Sequence, residues 1–147
     1  MKPITKLLAF GCATALIGLV VVRGGDPVEA APAANDALVE RGRYIANEVA
    51  MCVQCHTPRH ANGELDDTQL FRGAPIPFTS PFGGPPWATY APGIAGPGHL
   101  TDEDFFSLLT TGRRTTGRMP LAPMPPFRLS EEDARAVIAY LRSLPAR

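Results

Sequence analysis

Three stretches of the chain carry apolar side chains at helical spacing. Over residues 36–51, Leu38, Gly42, Ile45, Ala46 and Val49 recur on one face, which predicts a helix with Asn35 or Asp36 as its cap. Gly42 sits inside that face. A glycine there costs about 1 kcal/mol against alanine, so it predicts close approach of another helix. A second helix is predicted from Thr101, with Phe105, Leu108 and Leu109 inward and Gly112 as its stop. Thr101 and Asp104 resemble a capping box, and Asp102, Glu103 and Asp104 suit the positive end of the helix dipole. The third helix is predicted over residues 131–144, capped by Ser130 and stopped by Pro145. Ala134, Val137, Ile138 and Leu141 form its buried stripe.

The pattern breaks at both ends of residues 57–100, which alternate proline and glycine with isolated aromatics. A structureless stretch of that length argues against an ordinary globular domain. It is intelligible if Phe71, Ile76, Phe78, Phe82, Trp87, Tyr90 and Ile94 bury against a large apolar group, at about 25 cal/mol per Å².

The N-terminal residues form a separate unit. Lys2 and Lys6 precede an uncharged, mostly apolar run over residues 7–22, the pattern of an export signal. Cleavage after Ala30 or Ala33 is one outcome. The other is an uncleaved membrane anchor through residues 7–22, since 16 residues fall just short of a span. Residues 1–33 are thus a signal peptide or N-terminal anchor plus a short linker, and residues 34–147 one exported, periplasmic domain.

Charge narrows the partners. The 147-residue chain has no net charge, and every basic residue of the exported domain is arginine. This argues against nucleic acid and against steering by net charge. Cys12 lies in the leader, so the domain keeps only Cys52 and Cys55.

Those two thiols stand in Cys52-Val53-Gln54-Cys55-His56. A C-x-x-C-H run is the pattern for covalent attachment of a c-type haem. The thiols add to the porphyrin vinyl groups, and the adjacent imidazole supplies an axial ligand to iron. A redox disulfide and a zinc half-site are the rival readings. The disulfide motif wants a βαβ context, which the flanking helix and loop do not offer. Zinc needs four ligands, and only His60 stands near enough to complete a Cys/Cys/His/His set. With one such motif and no internal repeat, one haem is expected. That haem is the large apolar group the middle of the chain requires.

The other side of the iron decides the chemistry. Met119, Met124 and His99 are the candidates, with water or no ligand as a further case. Met124 lies in Leu121-Ala122-Pro123-Met124-Pro125-Pro126-Phe127, where prolines stiffen the loop.

Taken together, these segments resemble a class I mono-haem c-type cytochrome of bacterial, exported type. The resemblance rests on Gly42-Arg43-Tyr44 leading into the Cys52–His56 motif, on residues 101–112, and on the Pro123–Phe127 loop with the helix after it. It implies an all-α, cytochrome c-like fold: three to four short helices and proline-rich loops around one covalent haem c. It implies thioether links at Cys52 and Cys55, with His56 and Met124 as the axial ligands. Gly42 and Tyr44 would meet Tyr140 and Leu141 where the terminal helices cross. The middle of the chain departs from the family pattern, and Trp87, Tyr90 and Arg113 are the expected propionate contacts. Arg113, Arg114, Arg118 and Arg128 would form a docking rim or a propionate clamp.

The implied role is electron transfer without catalysis, between exported partners: a dehydrogenase or quinol-oxidising complex and an oxidase. A dedicated haem subunit of a periplasmic dehydrogenase is the second reading. A ligand-binding sensor or peroxidase-type haem protein is the third, and it requires an open sixth position.

Overall fold

Helix α1 spans Ala30–Tyr44 and runs directly into a π-helical turn, Ile45–Val49. This computed structural model describes residues 30–84, 86–96, 98 and 100–145, with side chains from residue 34 onward. The export or anchor reading of residues 7–22 and the candidate ligand His99 lie outside the described residues.

The first helix starts earlier than expected. Asn35 and Asp36 lie inside it and cap nothing. The π turn inserts one more residue per turn than an α-helix, which rotates the side chains beyond it around the helix axis. Ile45 and Ala46 stay buried, whereas Val49 turns out and is 57% exposed, against the expectation from simple periodicity. Met51 then adopts a left-handed conformation (φ 53°) and redirects the chain into α2, Cys52–His56.

Residues 57–100 hold little regular structure, with one addition to the all-α expectation. Strands β1 (Gly73–Pro75) and β2 (Tyr90–Pro92) pair antiparallel, Ala74 opposite Ala91. Gly73 has φ +90°, and a Cβ there would lie 2.6 Å from the Gly93 amide nitrogen, so only glycine suits this crossing. A 3-10 turn at Asp67–Gln69 precedes the strands, capped by the Asp66 carboxylate, which accepts from the Thr68 amide.

The two C-terminal helices begin where the capping residues predict. The Thr101 hydroxyl accepts from the Asp104 amide at the start of α3, Asp102–Thr111. The Ser130 hydroxyl accepts from the Asp133 amide at the start of α4, Glu131–Ser143. Gly112 closes α3 in a left-handed conformation, its N–H donating to the Leu108 carbonyl.

Helices α1 and α4 pack through Gly42. A Cβ there would lie 1.9 Å from the Ala136 carbonyl oxygen and 2.9 Å from the Tyr140 Cβ. The contact is therefore backbone on backbone. Tyr44, expected at this crossing, is 55% exposed instead. Ile45, Ala46, Phe71, Phe105, Val137, Tyr140 and Leu141 belong to one continuous core. Arg142 ties α4 to the loop before α3: its guanidinium donates to the Gly96 and Leu100 carbonyls and to the Asp102 carboxylate.

Candidate haem-binding site

Helix α2, the β2 strand, helix α3 and the loop over residues 118–127 enclose a cavity of about 380 Å³. Cys52, Cys55 and His56 line it, as do Met119 and Met124. Ile76, Ile94, Leu108, Leu109 and Leu141 supply apolar wall.

His56 is buried, and its Nδ1 lies 2.7 Å from the Pro92 carbonyl oxygen. A carbonyl only accepts, so Nδ1 carries the proton and the Nε2 lone pair remains available at the cavity. Burial pulls the His56 pKa below its ordinary value, and the Pro92 carbonyl opposes this less strongly. The ring is therefore neutral, the form that binds a metal.

Both thiols are free. Burial pushes the Cys52 thiol up to about 11, away from the low values of thioredoxin-like cysteines. Among the described residues, no three His, Cys, Asp or Glu side chains converge as a metal cluster. His60 is exposed, 3.9 Å from Asp66, and does not line the cavity. The tetrahedral zinc reading thus lacks its ligands among these residues. Two thiols on one helical turn, a neutral imidazole with a free Nε2 and an apolar enclosure do fit a covalently held haem.

Backbone hydrogen bonds hold the methionine loop. The Ala88 amide donates to the Ala122 carbonyl at 2.7 Å, and the Met124 amide donates to the Leu121 carbonyl at 3.2 Å. Pro123 and Pro125 line the cavity on either side of Met124. Met124 is half-buried, whereas Met119 is 48% exposed. The cavity brings both methionines together with the C-x-x-C-H residues.

The aromatics divide. Tyr90, Ile76 and Ile94 line the cavity as expected. Phe71 is fully buried elsewhere, edge-on to Tyr140 at 5.9 Å. Phe78 and Trp87 pair edge-on at 6.2 Å outside it, and Phe82 is 93% exposed. None of these four aromatics lines the cavity.

The arginines divide too. Arg114 and Arg118 line the cavity; Arg113 and Arg128 do not. Arg113 instead donates to the Gly117 carbonyl at 3.1 Å. The Asp104 carboxylate accepts from Arg114 Nη2 at 3.3 Å and from the Thr115 amide and hydroxyl. Asp104 therefore anchors the loop after α3 and closes no reciprocal capping box. Sequence reasoning favoured Arg113 over its neighbour.

Comparisons with known proteins identify the family. The family model described as cytochrome c oxidase, cbb3-type, subunit III matches residues 37–141. The fructose dehydrogenase cytochrome subunit of Gluconobacter japonicus is 35% identical over 112 residues, covering 73% of this chain and 22% of that protein. The gluconate 2-dehydrogenase cytochrome c subunit of Pantoea cypripedii is 32% identical over 115 residues, 73% of this chain and 23% of that one. A diheme cytochrome c-type protein of Cereibacter sphaeroides is 31% identical over 107 residues, 73% of this chain and 36% of its own length. The chain thus spans between 22% and 36% of these relatives. The chain belongs to the cytochrome c family of cbb3-type oxidase subunit III: it is a c-type cytochrome that transfers electrons through haem c.

Proposed function

We propose that the chain carries one haem c, linked through Cys52 and Cys55, with His56 and Met124 as axial ligands, and relays electrons from an exported dehydrogenase to the respiratory chain. Cys52 and Cys55 would hold the haem through thioethers, each S–H adding across a vinyl double bond with no oxidant needed. When bound, the haem supplies a one-electron ferric/ferrous couple. The protein's own residues hold that couple in place. His56 is fixed in one tautomer by the Pro92 carbonyl. Apolar side chains form most of the wall, and Met124 lines it between Pro123 and Pro125. Thioether ligation and burial both favour the reduced state.

The observation that carries this reading is the His56–Pro92 hydrogen bond in a cavity shared with two free thiols and Met124. A dehydrogenase partner is supported by the names of the relatives, two of which are cytochrome subunits of a fructose and a gluconate 2-dehydrogenase. With His56 and Met124 both holding the iron, the haem would offer no open position to a substrate.

The test is spectroscopic. Ferric haem with methionine ligation has a far-red absorption band. That band is expected to vanish in Met124→Ala and to persist in Met119→Ala. Loss in Met119→Ala alone would transfer the ligand role, and rapid carbon monoxide binding by the unaltered ferrous protein would favour a ligand-binding haem protein instead.

A further inference from the structure

Residues 73–101 contain no Asp, Glu, Lys or Arg. Within that stretch, residues 77–87 form a finger between Ile76 and Ala88, both of which line the cavity. Phe82, midway along it, is 93% exposed, and Phe78 is half-exposed. A single exposed apolar residue needs no explanation, but Phe82 has company. Met51, Tyr90, Met119 and Leu121 line the cavity and are each about half-exposed, so they mark its mouth. Hydrogen bonds join the finger to that mouth. The Ile76 amide donates to the Thr89 carbonyl at 2.9 Å, and the Ala88 amide donates to the carbonyl of Ala122, next to Leu121.

The finger is also stiffened. The Trp87 indole N–H donates to the Phe78 carbonyl at 3.1 Å, with the two rings edge-on. The Phe82 amide donates to the Ser80 hydroxyl at 3.4 Å, and Pro77, Pro81 and Pro86 fix the backbone between. An aromatic held in place before binding loses little conformational freedom on binding. Aromatics and methionines without charge are the composition of the core of a protein interface.

We propose that the finger and the cavity mouth form the docking surface for a redox partner protein, which offers Phe82 an uncharged, apolar recess. This rests on the electron-relay reading given above. It replaces the arginine rim expected from the sequence, of which Arg113 and Arg128 do not line the cavity. A lipid bilayer is the poorer occupant. No Lys or Arg in residues 73–101 is there to meet headgroup phosphates, and lipid over the mouth would close the haem's route to a donor or acceptor.

The experiment uses the full chain with haem attached, in the ferrous state. The probe is washed membranes from the source organism, in air. Each haem gives one electron to a membrane acceptor, with oxygen as the final oxidant, and the second-order rate is followed by absorbance. Phe82→Ser and Phe82→Asp are expected to lower the rate by roughly five- to twentyfold, with the haem spectrum unchanged. Phe82→Leu should stay within about threefold of the unaltered protein, and Arg113→Gln and Arg128→Gln within about twofold. Between low and high salt the rate should change by less than about threefold, whereas an arginine rim would make it fall steeply. An undiminished rate in Phe82→Asp overturns the surface, as does a steep salt dependence matched by losses in the arginine variants. Two further controls can overturn the occupant. One is cosedimentation with protein-free phosphatidylethanolamine/phosphatidylglycerol vesicles that Phe82→Asp abolishes, which would make it lipid. The other is a dimer in solution that Phe82→Asp dissolves, which would make it a second copy. No oxidation of the unaltered protein would instead defeat the relay reading itself, so the two failures are distinct.

Discussion

Thr57 is fully buried immediately after the haem motif, and its hydroxyl accepts from the Phe71 amide at 3.0 Å. Phe71 is itself fully buried and has φ 57°, a left-handed conformation that a bulky residue adopts only when its surroundings impose it. The hydroxyl is one of those constraints. Thr57→Val keeps the shape and strands the amide, at a cost of about 1–3 kcal/mol. Guanidinium unfolding of the haem-loaded protein, followed by Soret absorbance, is expected to show that loss. None of this was legible in the sequence, because the partners stand 14 residues apart and one of them is main chain. That His56 shares a cavity with Cys52 and Cys55 was legible, since their relation is written in adjacent letters.

The α1–α4 crossing makes a sharper demand on its residues than either helix alone. Gly42→Ala places a methyl group into the Ala136 carbonyl, and the helices must separate to admit it. The expected cost is about 1–3 kcal/mol. Gly98→Ala, which among the described residues meets nothing nearer than Arg142 Nη1 at 4.0 Å, should stay within about 0.5 kcal/mol. Thermal unfolding of the two variants side by side checks the contrast. Caps and glycine contacts were readable because they depend on local chemistry: Thr101 and Ser130 cap as their sequence context suggests. The π turn was not readable. No residue type encodes it, and it moved Val49 off the face that periodicity gave it.

Across the whole molecule, two half-buried or buried carboxylates tie loops to helices and titrate in the acid range. The Thr115 hydroxyl, followed by Arg114, holds the Asp104 carboxyl below the usual carboxylate range. The Thr68 hydroxyl does the same for Asp66. A carboxyl with a lowered folded-state pKa adds stability above its unfolded value of about 3.9, and that contribution fades as pH falls through the lower folded value. Acid unfolding is therefore expected to begin below about pH 4. Asp104→Asn should lower stability at neutral pH and make the acid limb shallower, as read by circular dichroism against pH. At this scale the sequence foretold that the middle of the chain needs a large apolar guest, but not which aromatics would meet it. Tyr90 reaches the cavity while Phe82 stands 93% exposed, a difference decided by the route of the chain and not by residue type. The group that orients His56 is the carbonyl of Pro92, part of the polypeptide itself. No exchange of one amino acid for another deletes a peptide oxygen. The imidazole's alignment thus rests on the main chain of β2, and exchanges among the pocket's side chains leave that acceptor in place.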